Sequence, residues 1–131
     1  MIGIVIVAHG GLAREYLAAV EHVIGPQPGV RAIAIHDDDD RAAKAREIRE
    51  AAEAVDEGEG VAIVTDIFGG SPTNLALPAC ESPGRCILYG ANLPMLIKLA
   101  KCRHRPLEEA VHRAAEAGRK YLDVFERRNG A

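Results

Sequence analysis

Apolar residues in this chain fall into short unbroken runs, separated by stretches in which they recur every three to four positions. The runs cover residues 2–8, Val30–Ile35, Val61–Thr65 and residues 86–89. They lack the alternation of a half-solvated strand, so they read as strands buried on both faces, as in a parallel sheet. Each is followed by a loop and a helical pattern, the rhythm of βαβ units, and the chain is read as an α/β protein.

The helical segments are set by their stripes and punctuation. Leu12–Ile24 places Leu12, Tyr16, Ala19, Val20 and Val23 on one face, and Gly25-Pro26 stops it. Arg41–Val55 carries Ile48, Ala51, Ala52 and Val55 as a thin apolar stripe. Asp40 stands before Arg41 as its cap. Ser71-Pro72 reads as a helix start, with serine capping and proline at the first helical position, and that helix extends to about Cys80. Pro94 opens another helix, to about Lys101. Pro106 opens the last, with Leu107, Ala110, Val111, Ala114 and Ala117 turned inward and Gly118 ending it. Residues 121–125 fit a final helical turn or a short strand equally well. Residues 25–29 and 57–60 are turns.

Length and charge narrow the class. The 131 residues suit one domain with one core. A net charge of -3 argues against an electrostatic grip on nucleic acid. No apolar stretch is long enough to span a bilayer, and the first strand has neither the basic flank nor the cleavage site of a signal peptide, so a cytoplasmic location is expected. Cys80, Cys86 and Cys102 match no paired metal-ligand spacing and read as small core or near-surface residues. The basic stretch 101–105 reads as a solvated face.

In a parallel sheet the residues leaving the strands gather at one edge, where open α/β sheets bind ligands. Four loops would meet there, carrying His9-Gly10-Gly11, His36 with the acids 37–40, Asp66-Ile67-Phe68-Gly69-Gly70-Ser71-Pro72, and Gly90-Ala91-Asn92-Leu93-Pro94. If the first and third strands are neighbours, His9 and Asp66 can touch. An aspartate on one ring nitrogen fixes the imidazole tautomer and leaves the other nitrogen free to attack. Gly10 and Gly11 let amides approach a ligand, and Gly69, Gly70 and the amino end of the Ser71 helix offer donors to an anion. Each part also has a plainer reading: a strand-end histidine satisfied by a carbonyl, or a tight helix entry. Four consecutive acids beside His36 fit a solvated, helix-capping loop better than a cation site, and no metal site is expected. His22, His104 and His112 read as surface residues.

Ala-His-Gly after the first strand, Asp-x-x-Gly-Gly-Ser-Pro after the third and Gly-Ala-Asn-Leu-Pro-Met-Leu after the fourth form a pattern covering nearly the whole chain. It resembles the mannose-family enzyme IIA domain of the bacterial phosphoenolpyruvate-dependent sugar phosphotransferase system. The resemblance implies a doubly wound, flavodoxin-like, mostly parallel sheet with helices on both faces, homodimers, and a terminal strand exchanged between subunits, for which residues 121–125 are the candidate. It also implies that His9 accepts a phosphoryl group on Nε2 from the phosphohistidine of the carrier HPr, with Asp66 orienting the ring through Nδ1. The amides of Gly10, Gly11 and Leu12, together with Gly69, Gly70 and Ser71, would receive the phosphoryl oxygens. No metal or organic cofactor is implied.

Docking of partners at a shallow edge site falls to Leu12, Phe68, Leu93, Pro94 and Met95. The acceptor would be an enzyme IIB or a regulatory protein, with peripheral association with a membrane permease as a further option. Ala8 stands where the family often has a hydroxyl residue, and Ile67-Phe68 replaces its polar-aromatic pair. With the sequence closing at Ala131, a free-standing regulatory phosphocarrier is expected at least as much as a transporter subunit. Alternatives are a non-catalytic signalling module read through His9 and a dihydroxyacetone-kinase phosphotransfer subunit. A metal chelatase shares a similar histidine-glycine turn, and a histidine phosphatase lacks support because no arginine precedes His9.

Overall fold

The structure, a computed structural model, describes residues 1–127. Its elements alternate in the expected order: β1 (Gly3–His9), α1 (Leu12–Ile24), β2 (Val30–Ile35), α2 (Arg41–Val55), β3 (Val61–Thr65), α3 (Ser71–Ala76) with a 3-10 continuation Leu77–Glu81, β4 (Arg85–Tyr89), α4 (Leu93–Lys101) and α5 (Leu107–Lys120). All strand pairings are parallel, in the order β2-β1-β3-β4. The two central strands are the most continuous apolar runs and are buried throughout, save for His9. β2 and β4 lie at the edges and mix buried with solvated positions.

Helices cover both faces. One core layer joins Ile4, Ile6, Val64 and Leu88 of the sheet to Val20 of α1, Leu96 and Leu99 of α4 and Ala110 and Ala114 of α5. The other joins Val5, Val7 and Ile63 to Ile48 and Ala52 of α2 and Leu75 of α3. The stripe expected on α2 is buried as read, and Asp40 caps that helix by accepting the Ala43 amide at 3.2 Å. On α1 the inward face is instead centred on Ala13 and Val20. Leu12 and Val23 are exposed, because the helix crosses the sheet rotated from the side on which those two residues lie.

Three further expectations change. Gly118 does not end α5: the helix runs on to Lys120, and Gly118 is buried at its crossing with α4. A Cβ there would stand 3.2 Å from the Met95 Cβ and 3.3 Å from Asn92 Oδ1, so the glycine permits close approach of the two helices. The stretch 101–105 is not wholly solvated, for Arg103 is only 4% exposed. Its guanidinium donates to the carbonyls of Ile2 (2.8 Å), Pro28 (2.6 Å) and Gly29 (3.3 Å), tying the α4–α5 turn to the starts of β1 and β2. Finally, residues 121–127 form neither helix nor strand within the chain: Tyr121 is a turn and the rest is irregular and exposed.

Candidate active site at the carboxyl edge of the sheet

The path from β1 out to β2 and back past β1 to β3 leaves a crevice where the strand order reverses, the usual ligand position in open α/β sheets. β1 and β3 are paired up to Val7 opposite Thr65, so His9 and Asp66 leave adjacent strands together. Asp66 Oδ2 accepts the His9 backbone amide at 3.0 Å and lies 2.8 Å from His9 Nδ1. The carboxylate is 11% exposed and the imidazole 51%, so the pair is anchored at its acid end and open at its ring end.

Burial alone would push the Asp66 carboxyl up. The hydrogen bonds from the His9 amide and ring, with the attraction of the ring's charge, outweigh it and hold the group below the ordinary aspartate value. Facing an ionised Asp66, the neutral form of the ring places its proton on Nδ1, which leaves the lone pair on Nε2. No hydrogen bond to Nε2 is made among the described residues.

The amide donors differ in detail from expectation. Gly10 is left-handed at φ +55°, a turn that favours glycine, but its amide donates to the Ile35 carbonyl at 2.9 Å and is not free for a ligand. Gly11 is the N-cap of α1 and makes no side-chain cap, so the orphan amides of that end begin with Gly11 and Leu12. At α3 the N-cap is Gly70, and Ser71 is the first helical residue rather than the cap. Gly69 turns the chain at φ +85°. A Cβ on Gly70 would sit 3.5 Å from His9 Cε1, so this backbone lies directly against the ring.

Sequence reading missed the supports. Thr65 and Thr73, both essentially fully buried, place their hydroxyls 2.9 Å apart, and Thr73 donates to the Ile67 carbonyl at 2.7 Å. The only outward sign was a polar residue closing an otherwise apolar strand. The Ala91 amide donates to the Thr65 carbonyl at 3.2 Å, and the Tyr16 hydroxyl to the Ala91 carbonyl at 3.1 Å, which draws the β4–α4 loop to the same edge. Asn92 caps α4 through the Met95 amide (3.0 Å) while its side-chain amide donates to the Gly118 carbonyl at 3.1 Å.

Of the residues expected to dock partners, Leu12 and Phe68 are exposed and Leu93 and Pro94 half-buried. Met95 is not available: at 4% exposure it packs in the core, because Asn92 sets the helix phase that turns it inward. Tyr89, not anticipated, stacks on Phe68 with ring centroids 4.5 Å apart.

His36 leaves β2 one residue after Ile35, the partner of His9, but neither it nor its acids make a hydrogen bond or ion pair with His9 or Asp66 among the described residues. Asp39 accepts the His36 amide at 2.7 Å, Asp40 caps α2, and no group of three or more metal-ligating side chains occurs among the described residues. His22, His104 and His112 are exposed. The three cysteines are free thiols, with Cys102 buried and Cys80 and Cys86 half-buried. No helix among the described residues is long and apolar enough to cross a membrane.

Comparison with known proteins identifies relatives of the chain. The chain is 32% identical over 104 residues, 79% of its length and 71% of the relative's, to the candidate phosphotransferase enzyme IIA component YadI of Escherichia coli (strain K12). Its fold matches the phosphotransferase system component EIIA of Streptococcus agalactiae with a TM-score of 0.85 at 23% identity, over 95% of this chain and 98% of that one. It also matches the mannose/sorbose specific IIA subunit of Enterococcus faecalis with a TM-score of 0.86 at 19% identity, over 97% and 96%. At those identities the two structures speak for the fold alone. A family model, EIIA-man, described as the PTS system fructose IIA component, matches residues 3–116, and the chain belongs to that family of phosphotransferase-system IIA components.

Proposed function

We propose that the chain is a phosphohistidine carrier, a single phosphotransfer domain that accepts a phosphoryl group on His9 Nε2 from phospho-HPr. It then hands the group to an enzyme IIB or displays it as a regulatory signal. The observation that carries this reading is the 2.8 Å contact between His9 Nδ1 and Asp66 Oδ2, with the ring half exposed.

In the forward step the Nε2 lone pair attacks phosphorus in line as the N–P bond of the donor phosphohistidine breaks. The Nδ1 proton stays on the ring, its positive charge offset by Asp66. Alignment and charge stabilisation are the main tasks for such a transfer. The amides opening α1 and α3 face developing negative charge on the phosphoryl oxygens, the favourable end of a helix for an anion. Gly11, Leu12, Gly70 and Ser71 stand at those two ends. Phe68, stacked on Tyr89, and half-buried Leu93 and Pro94 offer an apolar rim on which a small protein donor can rest. A cytoplasmic location follows from the proposed donor.

The proposal includes a homodimer in which residues 121–125 of one subunit pair with the other. β4 is hydrogen-bonded only to β3 among the described residues, leaving its outer edge unpaired. Leu122, Val124 and Phe125 are 77%, 76% and 94% exposed, a large apolar surface for a lone chain to show to water.

Incubation with phosphoenolpyruvate, enzyme I and HPr tests the carrier reading. Acid-labile label on the wild-type protein and none on His9→Ala is expected. Absence of label, or label undiminished in His9→Ala, overturns it.

A further inference from the structure

Asp66 Oδ2 takes both hydrogen bonds from His9, while Asp66 Oδ1 is buried and receives none from the described residues. The carboxylate is therefore steered from one side only, and its direction depends on the backbone that carries it. That backbone is bracketed. Thr65, the residue before Asp66, has its hydroxyl 2.9 Å from the Thr73 hydroxyl, and Thr73 donates to the carbonyl of Ile67, the residue after, at 2.7 Å. A hydroxyl has one proton to donate. With that of Thr73 directed to Ile67, Thr65 must donate to Thr73, giving a directed chain from the residue before Asp66 to the residue after it.

We infer that Thr73, with Thr65, is a positioning residue for the His9–Asp66 pair: the buried hydroxyl chain brackets Asp66 between the Thr65 side chain and the Ile67 carbonyl, and through that bracket sets the direction of the carboxylate that selects the His9 tautomer. The chain is sealed from solvent, with Thr65 at 0% and Thr73 at 1% exposure, so water cannot substitute for a missing hydroxyl without entering the core. Elsewhere in the loop Ile67, Phe68 and Gly69 are exposed, with Phe68 stacked on Tyr89. The other tie is at Thr65 itself, whose carbonyl accepts the Ala91 amide. Thr73 is reached by one turn of α3 from Gly70, the residue lying against the His9 ring, so the same helix sets both the ring's neighbour and the carboxylate's direction.

This inference rests on the carrier reading for its kinetic consequence but not for its structural one. Thr73→Val keeps the shape and removes the donor, and Thr73→Ser restores the hydroxyl. Two quantities are read in each variant: the nitrogen-15 shifts of the His9 ring, which report whether Nδ1 or Nε2 carries the proton, and the initial rate of labelling from phospho-HPr.

In Thr73→Val the fraction protonated on Nδ1 is expected to fall and the labelling rate to drop by about tenfold, in line with the sensitivity of transfer rates to sub-ångström misplacement. Thr73→Ser is expected to return both to wild-type values. A Thr73→Val protein with lowered melting temperature but an unchanged His9 ring spectrum and rate would show a merely structural hydroxyl and overturn the inference. Should Thr73→Val not give a dispersed amide spectrum, Thr65→Val, which removes the donor to Thr73, is read by the same two criteria. If wild type takes no label at all, the carrier reading fails, whereas the ring spectrum still decides the positioning role.

Discussion

One oxygen of Asp66, Oδ2, sits 2.8 Å from the Nδ1 and 3.0 Å from the backbone amide of His9. The carboxylate thus references the ring to its own strand end: rotating the imidazole away sacrifices one bond while the other keeps the aspartate in place. The arrangement holds the ring ready without enclosing it.

Replacing Asp66 by Asn retains the bulk but removes the charge that pairs with the ring. A hydrogen bond to a charged group is typically worth about 1.5–3 kcal/mol, which translates into labelling from phospho-HPr slowed roughly ten- to a hundredfold. The folded amide spectrum should persist. Rapid-quench rates equal to wild type would contradict the role given to Asp66.

The depressed Asp66 group ties this pair to pH. Its folded-state value lies below the ordinary 3.8, so its contribution to stability is fully present above 3.8 and is lost as pH falls through the lower, folded value. Carboxyl carbon-13 shifts followed down the acid limb should give an Asp66 midpoint below 3.8. A midpoint at or above it would mean that burial outweighs the His9 hydrogen bonds.

Arg103 serves three backbone carbonyls from a site 4% exposed. Arg103→Ala takes the side-chain donor from the buried Ile2 carbonyl and from Pro28, while Gly29 keeps the Ile4 amide at 3.1 Å. It also empties the space of a buried side chain, and is expected to destabilise the fold by about 2–4 kcal/mol in urea titrations. Arg103→Lys should recover only part, since one ammonium cannot reproduce a planar fork of donors. A loss in Arg103→Ala within the usual scatter of surface substitutions, about 0.5 kcal/mol, would show the carbonyls to be satisfied otherwise.

If residues 121–125 join two subunits, removing the chain beyond Lys120 should convert a dimer into a monomer in sedimentation equilibrium, with α5 and the sheet intact by circular dichroism. A wild-type protein that sediments as a monomer, or a truncated one that remains dimeric, rules out the exchange.

Much of the fold was readable from local pattern. Unbroken Ile/Val runs marked the buried strands and three-to-four spacing marked the helices, because burial on two faces or one face imprints its own period on neighbouring residues. Asp40 and Pro106 showed where helices begin through capping and ring chemistry that acts within a few residues. The Gly118 ending failed for the converse reason: a glycine in helix context signals either a stop or a close crossing, and only the approach of Met95 and Asn92 distinguishes them.

The sequence by itself determined the order and type of the elements and the placement of His9 and Asp66 just where two strands end, since both follow from short-range pattern. Only the tertiary structure decided that β1 and β3 are neighbours, that the Gly10 amide is taken by Ile35, that Met95 turns inward, and that Arg103, Thr65 and Thr73 are buried with hydrogen-bond partners. Those outcomes depend on register and close approach between residues far apart in the chain, which periodicity does not encode.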